Sequence, residues 1–149
     1  MTPNILMVTA PFYRDIADAL LQGARAALAE AGAVVEEVEV PGALEIPAAI
    51  GMGVATQRFD GFVALGCVIR GETPHFDLVC KESAEGLSRL ALDYQLALGN
   101  GILTVENRAQ AQARCGGDHG HKGADAARAC LQMLMLKHQL LKRESLNDA

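Results

Sequence analysis

Two hydrophobic periods alternate along this chain. Residues 4–9 form a short run rich in Ile, Leu and Val, the pattern of a buried strand. Residues 14–31 then place apolar or small side chains at Ile16, Leu20, Gly23, Ala27 and Ala31, close to the period of a helix. Gly32 stops that helix. Residues 34–40 carry Val at 34, 38 and 40 with Glu at 37 and 39, a half-buried strand that Pro41 and Gly42 end. Residues 45–56 predict a second helix, with Pro47 in its first turn. Residues 62–69 are apolar nearly throughout, as in a strand covered on both faces. A polar loop (70–75) leads to a long helix over 76–96, a short strand over 102–105 and a short helix over 107–115, with Asn107 as its N-cap. A glycine-rich loop (116–120) precedes a last helix from Lys122 to about Glu144.

Strands alternating with helices predict an α/β fold, a three-layer αβα sandwich around a four-stranded parallel sheet. No linker, repeat or low-complexity segment interrupts the order, so residues 1–149 read as one domain. In such folds ligands sit outside the C-terminal ends of the strands. Those ends are residues 10–13, 41–45, 69–75 and 106–107, and functional residues should gather there. The last helix is apolar nearly all round, at Leu131, Met133, Leu134, Met135, Leu136, Leu140 and Leu141. Such a helix is buried on more than one side, which predicts contact with further copies of the chain.

Composition narrows the function classes. Half of the 149 residues are hydrophobic and 21% are charged, as in a soluble globular domain. A chain of this length buries roughly 70% of its unfolded surface, so it needs no disulfide or metal to fold. The net charge is −5 with no basic block, which argues against nucleic acid. A small anion can still be held by a few cations or backbone amides. Cys67, Cys80, Cys115 and Cys130 form no C-x-x-C pair and lie in or beside apolar segments, so they read as reduced thiols of a cytoplasmic protein. Residues 1–10 lack a basic region before their short apolar run and read as a strand rather than a signal peptide. No apolar run nears the ~20 residues that span a bilayer.

Several segments invite chemistry. Residues 66–76 (G-C-V-I-R-G-E-T-P-H-F) leave the most buried strand for the longest helix. Gly71 would let backbone approach a ligand. Glu72 and Thr73 stand near a helix start that favours an anion. His75, at the helix mouth, could move protons near neutral pH. An ordinary loop with an exposed histidine explains the same pattern. Residues 40–47 (V-P-G-A-L-E-I-P) could turn amides toward a heterocycle, or Glu45 could simply cap its own helix. Residues 115–123 (C-G-G-D-H-G-H-K-G) fail as a phosphate-binding P-loop, because His121 precedes Lys122 and Gly123 follows it. Cys115, His119 and His121 could ligate a metal, but no second pair of ligands lies near, so no metal is expected. Gly51 and Gly53 fall inside a predicted helix and make no dinucleotide fingerprint. The first and third strands lack the acidic ends of a phospho-acceptor domain, and Pro11-Phe12-Tyr13-Arg14 is not a flavodoxin-type phosphate loop.

Taken together, V-P-G-A-L-E-I-P, A-L-G-C-V-I-R-G-E-T-P-H-F and N-G-I-L-T-V-E-N, followed by Arg114 and Lys122-Gly123, resemble the lumazine synthase family of riboflavin biosynthesis in order and spacing. The resemblance runs from about Asn4 to Met135. It implies a flavodoxin-like fold and condensation of 5-amino-6-(D-ribitylamino)uracil with 3,4-dihydroxy-2-butanone 4-phosphate. The product is 6,7-dimethyl-8-ribityllumazine, with phosphate and water released and no cofactor or metal required. Archaeal-type riboflavin synthases, which share the fold, and non-catalytic flavin or lumazine binders are the alternatives.

By its motifs the resemblance implies His75 as the proton-transfer residue and Phe12 as a platform for the pyrimidine. It implies Ala43, Leu44, Glu45, Cys67, Val68, Ile69 and Asn100 as further substrate contacts. Glu72, Thr73, Arg114 and Lys122 are implied as the phosphate site. Tyr13 stands where many members have Asn, and Asn100 where many have a bulky apolar residue. Family members form pentamers, some of which stack into hollow shells. The short N-terminus, without the extra strand some members lend to a neighbour, favours a free pentamer here.

Overall fold

The computed structural model describes residues 2–148, with side chains as far as Lys142. Its centre is a parallel sheet of β1 (Asn4–Thr9), β2 (Val34–Glu39), β3 (Gly61–Ile69) and β4 (Ala97–Val105), in the order β2-β1-β3-β4. The connecting helices are α1 (Arg14–Glu30), α2 (Ile46–Thr56), α3 (His75–Tyr94), α4 (Arg108–Ala113) and α5 (Lys122–Asp148).

β1, β3 and β4 bury side chains on both faces, as the continuous apolar run of β3 requires. On one face Ile5, Met7, Val63, Leu65 and Leu103 pack with Ile16, Leu20 and Leu28 of α1, Ala111 of α4, and Ala126, Cys130 and Leu134 of α5. On the other, Leu6, Val8, Phe62, Ala64 and Ile102 meet Ile46 and Ile50 of α2 and Val79 and Leu87 of α3. Each fully buried Ile or Leu contributes about 1.5–3 kcal/mol relative to exposure. The three-layer sandwich predicted from the alternation is therefore the observed one, flavodoxin-like in strand order. Edge strand β2 reads differently. Its Glu36, Glu37 and Glu39 face outward and pair with Arg58, Arg25 and Arg14.

The sheet departs from the sequence reading at β4, which begins at Ala97 rather than at Ile102. Its first half, Leu98-Gly99-Asn100-Gly101, has the composition of a loop. The glycines are there because α5 lies directly against them: a methyl group at Gly99 would overlap the Ala126 carbonyl. The preceding helix stops at Tyr94, where Gln95 takes a left-handed conformation (φ 54°). The glycine-rich loop is likewise structured, as an antiparallel hairpin of β5 (Cys115–Gly117) and β6 (Gly120–His121). Gly120 supplies the positive φ of 85° at its turn. The hairpin also shortens the preceding helix to Ala113.

Strand order places a switch point between β1 and β3, where the chain passes from one face of the sheet to the other. The end of the sheet where the loops after those two strands emerge is the usual ligand position in such folds. The loop after β1 (Ala10–Tyr13) and the loop after β3 (Arg70–Pro74) lie there.

Candidate functional site

The loop after β1 starts from the Ala10 amide, which donates to the Leu65 carbonyl (2.9 Å) and ties the loop to β3. Beyond it Phe12 is 74% exposed. Its ring meets Tyr13 edge to face, with centroids 5.0 Å apart. The Arg108 guanidinium lies 5.8 Å from the Tyr13 ring and pairs with Asp15, holding that carboxyl below its usual range. Phe12 is thus held outward by a small cluster from α1 and α4.

After β2, the Val40 amide donates to the Thr9 carbonyl (2.9 Å) and extends the ladder by one residue. Pro41 and Gly42 then turn the chain into a 3-10 turn over Ala43–Glu45. Ala43 is buried beneath it, while Leu44 and Glu45 are exposed. Glu45 makes no cap to the helix that follows, so its carboxylate remains available. At the end of β3, Cys67 is buried and Val68 and Ile69 are half-buried; beyond it Glu72, Thr73 and His75 are exposed. Burial pushes the Cys67 thiol up to about 11, with the nearby Cys115 adding to the effect. At neutral pH the Cys67 thiol is neutral, which leaves it a poor nucleophile. His75 is the first residue of α3, and its amide donates to Thr73 Oγ1 (3.4 Å). The Asp77 and Leu78 amides both donate to the Pro74 carbonyl (3.1 and 3.3 Å), which closes the first turn of that helix.

Arg114 and Lys122 stand elsewhere. The Lys122 amide donates to the Arg114 carbonyl (2.7 Å) across the mouth of the β5–β6 hairpin, which sets the two residues side by side. With Ile102–Val105 of β4, His119 and Asp125 they line a cleft of about 310 Å³. Arg114 Nη1 donates to the Gln110 carbonyl (3.0 Å). Among the described residues neither Arg114 nor Lys122 forms an ion pair, so two cations face the cleft free to take an anion. Asn100 sits farther back, in the middle of β4 opposite Ala64, with Oδ1 accepting from the Ile102 amide (3.0 Å).

The residues singled out from the sequence therefore fall into two groups. Phe12, Ala43, Leu44, Glu45, Cys67, Val68, Ile69, Glu72, Thr73 and His75 gather at the ends of β1, β2 and β3. Asn100, Arg114 and Lys122 lie along β4, whose outer edge has no strand partner. Asn100 is about 16 Å along the strand from Val105, at ~3.3 Å per residue. The sheet lies between Arg114 and α3: Cys115, next to Arg114, packs with the α1 and α5 core, which Cys67 and Ile69 share, whereas α3 belongs to the opposite one.

His119 is exposed and lines the cleft, with its amide donating to the Ala113 carbonyl (2.8 Å). Only the hairpin turn, invisible in the glycine spacing, puts it there. His121 instead accepts from the Ala124 amide through Nδ1 (3.2 Å) and caps α5, and the Cys115 thiol donates to the Gln112 carbonyl (3.6 Å).

A profile of the 6,7-dimethyl-8-ribityllumazine synthase family matches residues 2–138. The chain belongs to that family. It is 58% identical to 6,7-dimethyl-8-ribityllumazine synthase 1 of Rhizobium meliloti, over 92% of this chain and 93% of that protein. It is 55% identical to the 6,7-dimethyl-8-ribityllumazine synthase of Agrobacterium fabrum, over 93% of this chain and 97% of the relative. The enzyme of the same name from Zymomonas mobilis is 54% identical, over 92% and 98%. In this member of the lumazine synthase family, the motifs that carry the resemblance are the loops at the C-terminal ends of β2, β3 and β4. No described helix is long and apolar enough to cross a membrane.

Proposed function

We infer that the chain condenses 5-amino-6-(D-ribitylamino)uracil with 3,4-dihydroxy-2-butanone 4-phosphate to give 6,7-dimethyl-8-ribityllumazine. The observation that carries this reading is a family match over nearly the whole chain whose motifs lie at the C-terminal ends of the strands, around the sheet's switch point. The relatives named above are lumazine synthases, which favours this product over the fold-sharing riboflavin synthase alternative.

The chemistry suits the side chains. The pyrimidine's amine adds to the ketone and loses water to form a Schiff base, phosphate leaves, and the second amine closes the ring with loss of water. Phe12 offers a flat apolar face to the heterocycle. The amides around Gly42–Glu45 and the ends of β3 supply polar contacts to its edge and to the ribityl chain. His75 carries protons to and from the reacting atoms. Arg114, forked and permanently charged, holds the phosphate with Lys122 and favours its departure as an anion. Glu72 and Thr73 approach the same group from the start of α3. Much of the acceleration is proximity of two bound substrates, so no single residue is indispensable.

The reading is completed by a neighbouring copy. The cationic cleft beside β4 and the aromatic and histidine loops lie on different parts of one chain, and a ring in which β4 of one copy faces the loops of the next unites them. The ring is a pentamer, working in the cytoplasm.

Kinetics with both substrates test the assignment. His75→Ala is expected to lower kcat by about one to two orders of magnitude. Arg114→Ala should raise KM for the butanone phosphate far more than for the pyrimidine. An unchanged kcat in the first variant, or equal KM effects in the second, would remove that residue from its role. Failure of the parent chain to release phosphate with both substrates present would end the reading as a whole.

A further inference from the structure

Arg70, the first residue beyond β3, ties together three elements at the rim of the site. Its amide donates to the Val105 carbonyl (2.9 Å), continuing the β3–β4 ladder. Its Nε donates to Glu106 Oε2 at the end of β4 (2.7 Å), and Nη2 lies 3.5 Å from Asp77 Oδ1 in the first turn of α3. The guanidinium sits 4.4 Å from the centroid of the Phe76 ring. Phe76 and Asp77 are the two residues that follow His75.

A lone exposed ion pair contributes little to stability. One planar guanidinium that meets two carboxylates and stacks on a ring is a different object, because it fixes direction as well as distance. The loop it guards has few other ties. Within residues 71–75 the side-chain hydrogen bond among the described residues is the long one between His75 and Thr73, and Gly71 has open space around it.

We propose that Arg70 is a positioning residue: clamped between Glu106, Asp77 and Phe76, it fixes the first turn of α3 and so aims His75 at the substrates. The proposal rests on the reading of His75 as the proton carrier. Misplacement of a catalytic group by 1 Å can cost about a hundredfold in rate, so a clamp of this kind acts on kcat rather than on binding alone.

The test is a double-mutant cycle with a spectroscopic partner. Arg70→Met should lower kcat about tenfold in the parent enzyme but less than about twofold in the His75→Ala enzyme, where nothing remains to be aimed. Its effect on Tm should be the same in both backgrounds. Equal kcat losses in the two backgrounds would overturn the proposal. Arg70→Lys, which keeps the charge without the planar stack, should recover less than half of the loss, and it replaces the Met variant in the cycle if that variant does not fold. Full recovery by Lys would overturn the clamp geometry. The chain has four histidines, and His75→Ala identifies which imidazole NMR signal belongs to His75. That signal should shift or broaden in Arg70→Met while the others hold, and an unmoved signal would also overturn the proposal. Should His75→Ala leave kcat unchanged, the reading of His75 fails, and the imidazole signal alone decides whether Arg70 positions it.

Discussion

Cys130 lies at the contact of α5 with the first residues of β4, its thiol donating to the Ala97 carbonyl at 3.5 Å. Burial pushes this thiol up to about 12. An unfolded cysteine ionises near 8.5. The folded value is the higher one, so the thiol's contribution to stability is complete below pH ~8.5 and is lost as pH rises from there toward 12. In that window the unfolded chain gives up a proton that the folded chain keeps, which costs about 1.4 kcal/mol of stability per pH unit. Urea unfolding between pH 8 and 10.5 should therefore show stability falling in the parent, with a shallower fall in Cys130→Ala. Identical slopes in the two proteins would mean that the thiol ionises in the folded state. The residue scale is also where sequence patterns say least. Phe12, Glu45 and His75 are legible as types in loops at strand ends, because topology alone predicts where ligands sit. Whether Glu45 caps a helix or keeps its carboxylate free depends on a 3-10 turn of three residues, and no periodicity reports one. Arg70, too, is an ordinary loop cation until Glu106, Asp77 and Phe76 are seen around it.

At the scale of elements, hydrophobic period identifies a segment well when packing uses side chains and badly when it uses their absence. β1 and β3 are continuous apolar runs because helices cover both faces, and both are evident from the sequence. β4 is obscured because α5 packs against its backbone. At Gly99 and Gly101 an added Cβ would collide with Ala126, and at Gly123 with the Leu20 backbone of α1. Glycines chosen for close approach read as a loop, and half of the strand disappears from the pattern. Gly99→Ala is the corresponding experiment. The residue that would have to yield is helix backbone and not a flexible side chain, so relief requires moving α5 off the sheet. Overpacking of this kind typically costs about 1–3 kcal/mol and occasionally more. Chemical denaturation should register a loss at the upper end of that range or beyond. A variant as stable as the parent would mean that α5 does not lie so close. The same displacement would widen the Arg114–Lys122 cleft, since Lys122 opens α5, so KM for the butanone phosphate should rise in parallel.

For the whole molecule, two features of the isolated chain ask for a partner. The outer side of α5 leaves Met133, Met135, Leu136, Leu140 and Leu141 between 44% and 62% exposed. An apolar groove of about 380 Å³ runs beside it, lined by Pro3, Ala31, Leu131, Leu134, Met135 and His138. Apolar surface of this kind fits the ring proposed above. The sequence predicted that face from apolar residues all round the helix, but not the second feature, the separation of the implied site residues into two groups. Motif spacing is blind to it, because Arg114 and His75 come from motifs that look equally catalytic. A ring of identical contacts uses two different patches on each copy, one facing each neighbour. If the loops with Phe12 and His75 form one patch and the β4 edge with Arg114 the other, each site is shared. Mixed rings then discriminate between the alternatives. Unfolding and reassembling His75→Ala with Arg114→Ala should restore intact sites wherever the good loops of one variant meet the good edge of the other. Random mixing makes that about a quarter of the contacts, so activity should rise well above either variant alone. His75→Ala mixed with Phe12→Ala should not rise, because both changes damage the same patch. The opposite pattern would put His75 and Phe12 on different patches. No recovery in either mixture, together with a solution mass of a single chain in the active parent, would show that one copy holds the whole site.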